Sequence, residues 1–133
     1  MKHHVVALLT TLALSGQAQA ICRQADAKGT WITYQSAYIT APNGQHVGQC
    51  KLMVNATGIV DPINSTCKFV TFNTPDLLTS GSIKVNKDCS ADVHLDLGPF
   101  DGQIQIAKDK NTYSGRFVAQ KGAVAGTTNG VKQ

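Results

Sequence analysis

Apolar and polar residues alternate with a period of two along most of the chain after residue 20. The alternation is clearest in the segments 82–86, 92–97, 103–106 and 113–119. Because successive side chains of a β-strand point to opposite faces, this pattern predicts strands that bury one face. No segment after residue 20 has a sustained helical period, and only residues 74–80 suit a short helical turn. The pattern therefore predicts an antiparallel β-sheet with one face in a core.

Turn-forming residues divide the same region into short segments. Clusters of Gly, Pro, Asn and Asp recur at 41–44, 55–58, 61–62, 86–88, 97–99 and 108–111. Such clusters separate strands, and the strands of a small sheet must fold over or close to protect their edges. We therefore expect an all-β fold, a small antiparallel β-barrel or barrel-like sandwich of about six to eight strands.

The first 20 residues have the form of a bacterial secretory signal peptide. Lys2 provides the positive start, residues 5–14 are apolar, and residues 18–20 form a small-x-small cleavage site. Cys22 lies just after this site, but Ile21 stands where lipoprotein processing requires a small residue. We therefore expect cleavage before Ile21 and a periplasmic or secreted protein without a transmembrane segment.

The rest of the chain, residues 21–133, has the length of a single domain with one core. Its last part, residues 122–133, is rich in small residues. We expect this part either to be a flexible tail or to close the barrel as its last strand. A strand that is added to a neighbouring chain is a further alternative.

Charge is sparse, since 15% of the residues are charged against the roughly 25% usual in globular domains. Of the 12 Lys and Arg one is Lys2, so residues 21–133 carry 11 of them against 8 Asp, a net charge of +3. No basic run or interleaved aromatic residues accompany this mild excess, so we expect no nucleic-acid partner.

Four cysteines lie after the predicted signal, at Cys22, Cys50, Cys67 and Cys89. An even number in a small exported domain predicts two disulfides, for which three connectivities exist. We expect Cys50–Cys67 and Cys22–Cys89, because the first pair flanks one turn region. Zinc is the competing interpretation, but there is no C-x-x-C pair and the spacings suit no zinc finger. We therefore expect neither a metal nor a cofactor.

Two segments resemble known families. Gly29 to Trp31 resembles the G-x-W that opens calycin barrels such as avidins and lipocalins, in which the Trp closes one end of the barrel. The avidin ligand residues are not identifiable here, so no biotin site is implied. Residues 81–90 resemble the G-x-a-x-V-N-x-D-C-T/S hairpin of small secreted bacterial β-barrel proteins of unknown function, and residues 52–58 are similar to the preceding strand and turn in that group. These resemblances imply a barrel fold and export, and no activity.

Asp92, His94 and Asp96 are the most prominent polar cluster in the sequence. Strand alternation places them on one face, with successive side chains about 7 Å apart. Flanking carboxylates raise the pKa of a histidine, and they supply metal ligands where a further group contributes. Because residues 93, 95 and 97 occupy the opposite, core face, we expect the cluster to face solvent. A proton-sensitive or ligand-facing cluster is the functional alternative.

Aromatic residues occupy both faces of the first predicted strand. Tyr34 and Tyr38 share one face with Ile32, whereas Trp31 lies on the other. Core packing explains such residues, and a strand with two apolar faces also suits a cavity wall or a contact with another subunit. If the barrel binds a ligand, we expect Trp31, Tyr34 and Tyr38 to make the apolar contacts. Asp92, His94 and Asp96 would then be the polar cluster of the site.

Catalytic chemistry is poorly supported by the sequence. The only histidines within residues 21–133 are His46 and His94. No Ser stands in a G-x-S-x-G turn, and the cysteines are assigned to disulfides. A cyclase-type enzyme barrel, which needs few charged groups, is a further alternative. We expect an exported, non-catalytic binding module for a small apolar ligand or a protein partner. The alternative is a structural or assembly subunit, oligomeric or not, of a bacterial envelope or surface structure.

Overall fold

The computed structural model describes residues 21–39 and 44–133. The predicted signal peptide, residues 1–20, and most of the predicted turn at 41–44 lie outside the described residues. The described strands are β1 (Gly29–Ile39), β2 (Gly44–Val54), β3 (Ile59–Val60), β4 (Thr66–Phe69), β5 (Leu77–Leu78), β6 (Gly81–Val85), β7 (Ser90–Leu95), β8 (Phe100–Ile106), β9 (Thr112–Ala119) and β10 (Val124–Lys132). The short 3-10 helices are η1 (Gln24–Ala27), η2 (Val70–Phe72) and η3 (Gln120–Gly122).

Eight of these strands form a closed antiparallel barrel. Their order around the barrel is β1, β10, β9, β8, β7, β6, β3 and β2, and β2 pairs with β1 to close it. The strands β4 and β5 extend from β2 as an additional hairpin that includes η2. The predicted all-β barrel is therefore confirmed. The segment 74–80, considered above for a helical turn, contains β5 instead.

Alternation along the strands fills the barrel interior. In β2 every second residue from His46 to Val54 is buried, and the residues between them are exposed. The strands β7 and β8 show the same pattern, with inward residues such as Val93 and Ile104. The period-two pattern thus predicts correctly which side chains enter the core. In the described part of the chain no helix is long and apolar enough to cross a membrane.

One end of the barrel is closed by Trp31, which is 3% exposed. Its indole Nε1 donates a hydrogen bond to the carbonyl oxygen of Ala27 in η1 at 2.8 Å. The Nζ of Lys132 lies 4.8 Å from the centroid of the Trp31 ring, and the Tyr113 ring lies 5.5 Å from it. Lys132 is the last residue of β10, and Tyr113 lies near the start of β9, the strand that pairs with β10. An end packed and hydrogen-bonded in this way leaves little room for a ligand.

The two disulfides are Cys22–Cys89 and Cys50–Cys67, and both pairings agree with the prediction. The first connects the segment before η1 to the turn between β6 and β7, near the closed end. The second joins β2 to β4, whose residues Cys50 and Cys67 stand directly opposite each other in the register. Two disulfides are typical of proteins that fold in an oxidising, exported environment.

The chain's last strand lies inside the barrel wall. Of the segment 122–133, residues 124–132 form β10, which pairs with β1 on one side and with β9 on the other. Both edges of β10 are therefore used within this chain.

Candidate functional site

A cavity of about 640 Å³ opens at the end of the barrel opposite Trp31. It lies between the ends of β1, β7 and β9, the starts of β2, β8 and β10, and the hairpin that contains η2. Its volume falls within the ~300–1,000 Å³ typical of small-molecule sites. The large apolar residues in its wall are Ile39, Phe69, Phe72, Leu95, Leu97, Phe100, Phe117 and Val124.

Aromatic rings make up two parts of the cavity wall. Phe100 and Phe117, from the neighbouring strands β8 and β9, stack with their centroids 4.6 Å apart and their planes 20° apart. On the opposite side the imidazole of His46 packs between two phenyl rings, at 5.0 Å from Phe69 and 5.5 Å from Phe72. These rings offer flat apolar surfaces to a ligand.

Among the described residues of this wall, Gln35 and His46 are the two deeply buried polar side chains, at 5% and 6% exposure. The Nε2 of Gln35 donates a hydrogen bond to the Sγ of Cys50 at 3.3 Å. The Nδ1 of His46 is buried and has no hydrogen-bond partner in the part of the chain that the structure describes. Because sulfur is a weak acceptor, both side chains keep hydrogen-bonding capacity that the described residues do not use.

The cavity wall carries no formal charge from its described residues, among which there is no Asp, Lys or Arg. Burial lowers the pKa of His46 from its usual value of 6.5, because the charged imidazolium loses its hydration. The imidazole is therefore neutral at neutral pH. An uncharged, largely apolar cavity selects uncharged, largely apolar ligands.

The comparisons with known proteins agree with this architecture. The chain is similar to a solved structure described as a redesigned β-barrel, with a TM-score of 0.53 and 15% sequence identity over 90% of this chain and 99% of that chain. The fold is a β-barrel. At this identity the likeness shows the fold alone. No family model matches the chain, and no curated protein matches it.

The structure does not bring the three predicted aromatic ligand contacts together. Trp31 is buried at the closed end and does not line the cavity. Tyr34 and Tyr38 point outward from β1, at 48% and 56% exposure. The alternation of β1 therefore places Trp31 on the inner face of the barrel wall and the two tyrosines on the outer face, as predicted. Because of this separation the three residues do not form one common ligand site.

Asp92, His94 and Asp96 lie on the outer surface. The Nδ1 of His94 is 2.8 Å from the Oδ1 of Asp101 on β8, and its Nε2 is 3.4 Å from the Oδ1 of Asp96. Asp101, and secondarily Asp96, raises the pKa of His94. His94 thus forms an exposed pair with Asp101 across the strands β7 and β8. The sequence pattern did not indicate Asp101 as a member of this cluster. Within the described ranges no group of three or more metal-ligating side chains is placed to hold an ion.

The cavity residues were not among those singled out from the sequence. The signal for them was present in β2, where His46 has the same parity as Cys50 and Leu52 and therefore faces inward. Gln35 likewise shares the parity of Trp31 on β1. A polar residue on the core face of a strand is unusual enough to mark a site.

Proposed function

We propose that this protein is an exported, non-catalytic module that binds a small apolar molecule in the open end of its barrel. The observation that supports this proposal is the cavity of about 640 Å³, with aromatic walls and no charged lining residue among those described. A non-catalytic role fits the same wall, because among its described residues the titratable side chain is a neutral imidazole, with no carboxylate, amine or free thiol beside it.

The exported location is proposed from two independent features. Residues 1–20 have the sequence of a signal peptide, and the two disulfides are typical of an oxidising compartment. Together they favour the periplasm or the exterior of a bacterial cell. A binding protein in that location meets apolar molecules that diffuse through the envelope.

An assembly role is the second candidate, and the outward tyrosines on β1 favour it. Tyr34 of β1 and Val47 of β2 are similarly exposed on the outer surface, and such residues suit contact with another protein. Assembly by addition of β10 to a neighbouring chain is less favourable, because β10 is already paired along both edges. Opening the barrel to release β10 would cost the pairing with β1 and with β9.

Naphthalene is a suitable probe for the proposed function, because it is flat, apolar and without polar atoms. Equilibrium dialysis of naphthalene should show saturable binding to the wild-type protein. We expect Ala119→Trp, which places an indole in the cavity from the end of β9, to weaken binding at least tenfold, about 1.4 kcal/mol.

The matched control is Val118→Trp, one residue earlier on the same strand. Val118 points outward at 46% exposure, so this variant adds the same indole outside the cavity and should bind naphthalene like the wild type. Saturable binding that both variants weaken equally, or no saturable binding by the wild type, would overturn the proposed function. Light scattering of the wild-type protein then tests the assembly role.

A further inference from the structure

Gln35 and His46 converge on one position in the cavity wall. Gly48, which pairs with Gln35 in the register and follows His46 by two positions on β2, has no side chain at this point. A Cβ built on Gly48 would lie 2.8 Å from the Oε1 of Gln35 and 3.5 Å from the Nε2 of His46. Both polar atoms therefore lie close to the place that a side chain at position 48 would occupy.

Gly48 is needed there for space rather than for conformation. It lies within β2 and is not among the residues with a positive φ. The Cβ of any other residue would also meet the phenyl ring of Phe69 at 3.1 Å. The glycine thus lets the Oε1 of Gln35 and the Nε2 of His46 approach the same point of β2, and we call this polar part of an otherwise apolar wall the Gln35–His46 notch.

The hydrogen-bonding groups at this notch are under-used in the protein alone. A carboxamide can make four hydrogen bonds, and the Gln35 side chain makes one, to a sulfur, among the described residues. In the His46 ring, Nδ1, the nitrogen other than the one nearest Gly48, likewise has no partner in the described part of the chain. Buried polar groups without partners are unfavourable, so a ligand that supplies partners gains affinity.

Resting on the proposed function above, we propose that the notch selects its ligand: an apolar molecule that carries one hydroxyl group. A hydroxyl donates one hydrogen bond and accepts others, so it can donate to the Oε1 of Gln35 while it accepts a hydrogen bond from the N–H of the His46 tautomer that is protonated at Nε2. The rest of the ligand contacts the rings of Phe69 and Phe117.

Other polar groups fit the notch less well. A ketone or ether only accepts hydrogen bonds, so it leaves the Oε1 of Gln35 without a donor. A carboxylate brings a charge into a wall that holds no cation among its described residues, and the buried imidazole is neutral at neutral pH. An amine arrives as a cation and meets no carboxylate there.

The test compares 1-naphthol with naphthalene, which differ by one hydroxyl. Equilibrium dialysis of the wild-type protein at pH 7.5 should give a dissociation constant about tenfold lower for 1-naphthol. In Gln35→Leu and His46→Phe the two ligands should bind within about twofold of each other, whereas naphthalene should keep its affinity. Gln49→Leu is the matched control, because Gln49 is the exposed neighbour of Gly48 on β2 and its loss should preserve the preference.

The outcomes separate the two proposals. If naphthalene binds and 1-naphthol binds no better, the hydroxyl preference is wrong while the apolar site stands. The notch is also wrong if both notch variants, folded by circular dichroism, keep the tenfold preference. If neither ligand binds to the wild-type protein, the proposed function itself fails. The wild-type comparison decides the matter even where a notch variant does not fold.

Discussion

The same residue type has opposite roles at two positions in this barrel. His46 points inward from β2 and packs between phenyl rings, which lowers its pKa through burial. His94 points outward from β7 and pairs with Asp101, which raises its pKa. Strand parity decides between these surroundings, so both are legible in the sequence once the strands are placed. The partner of His94 was not, because register across β7 and β8 depends on a turn that the sequence does not specify.

The pair of His94 and Asp101 predicts a pH-dependent contribution to stability. Because the folded pKa of His94 is raised above its usual 6.5, the contribution is fully present below that value and is lost as pH rises through the folded pKa. Compared with His94→Gln, the wild type should therefore gain stability at pH 5.5 and lose that gain by about pH 8.5. Both partners are well exposed, so we expect about 0.5 kcal/mol.

Thermal unfolding at several pH values checks this contribution. In the Asp101→Asn background, substitution of His94 by Gln should change stability by much less with pH, because the main cause of the raised pKa is gone. A wild-type advantage over His94→Gln that stays constant from pH 5.5 to 8.5 would contradict the assignment.

At the scale of elements, the four strands with clear alternation were predicted and the shortest strands were not. The segments 82–86, 92–97, 103–106 and 113–119 overlap β6, β7, β8 and β9, because each is long enough to show two or more periods. The strands β3 and β5 have two residues each, too few for any period. The hairpin of β4, η2 and β5 was missed for that reason, and with it the wall that Phe69 and Phe72 give to the cavity.

The disulfide Cys50–Cys67 should hold that hairpin and the cavity together. It closes a loop over a sequence separation of 17, for which the chain-entropy estimate is about 3 kcal/mol. The double variant Cys50→Ala, Cys67→Ala should lose about this much in urea-induced unfolding. It should also bind naphthalene more weakly, because Cys67 lines the cavity and Cys50 accepts the hydrogen bond of Gln35.

The second disulfide provides the control for this prediction. Cys22→Ala, Cys89→Ala removes a crosslink near the closed end, away from the cavity. It should lower stability and leave naphthalene affinity unchanged at temperatures where the variant is folded. The account fails if the closed-end variant loses affinity and the Cys50, Cys67 variant keeps it.

At the scale of the whole molecule, closure of the sheet gives the barrel two unlike ends. At one end η1 covers Trp31, and the side chain of Lys132 from the last strand lies over the indole. At the other end the small side chain of Ala119 faces the cavity, which the aromatic rings of Phe100 and Phe117 also line. The sequence predicted the barrel and its disulfides, because edge protection and export leave few alternatives. It did not predict the cavity, which depends on how distant strands meet.

The most direct test of the account is to locate a bound ligand by methyl NMR. On titration with naphthalene, we expect the largest shifts at the cavity methyl groups of Leu95, Leu97 and Val124. The methyl groups of Leu52, near Trp31, and of Val131, exposed on β10, should barely shift. Shifts that are confined to the closed end or to the outer surface, or no saturable shift at all, would contradict the claim that this barrel binds a small apolar molecule at its open end.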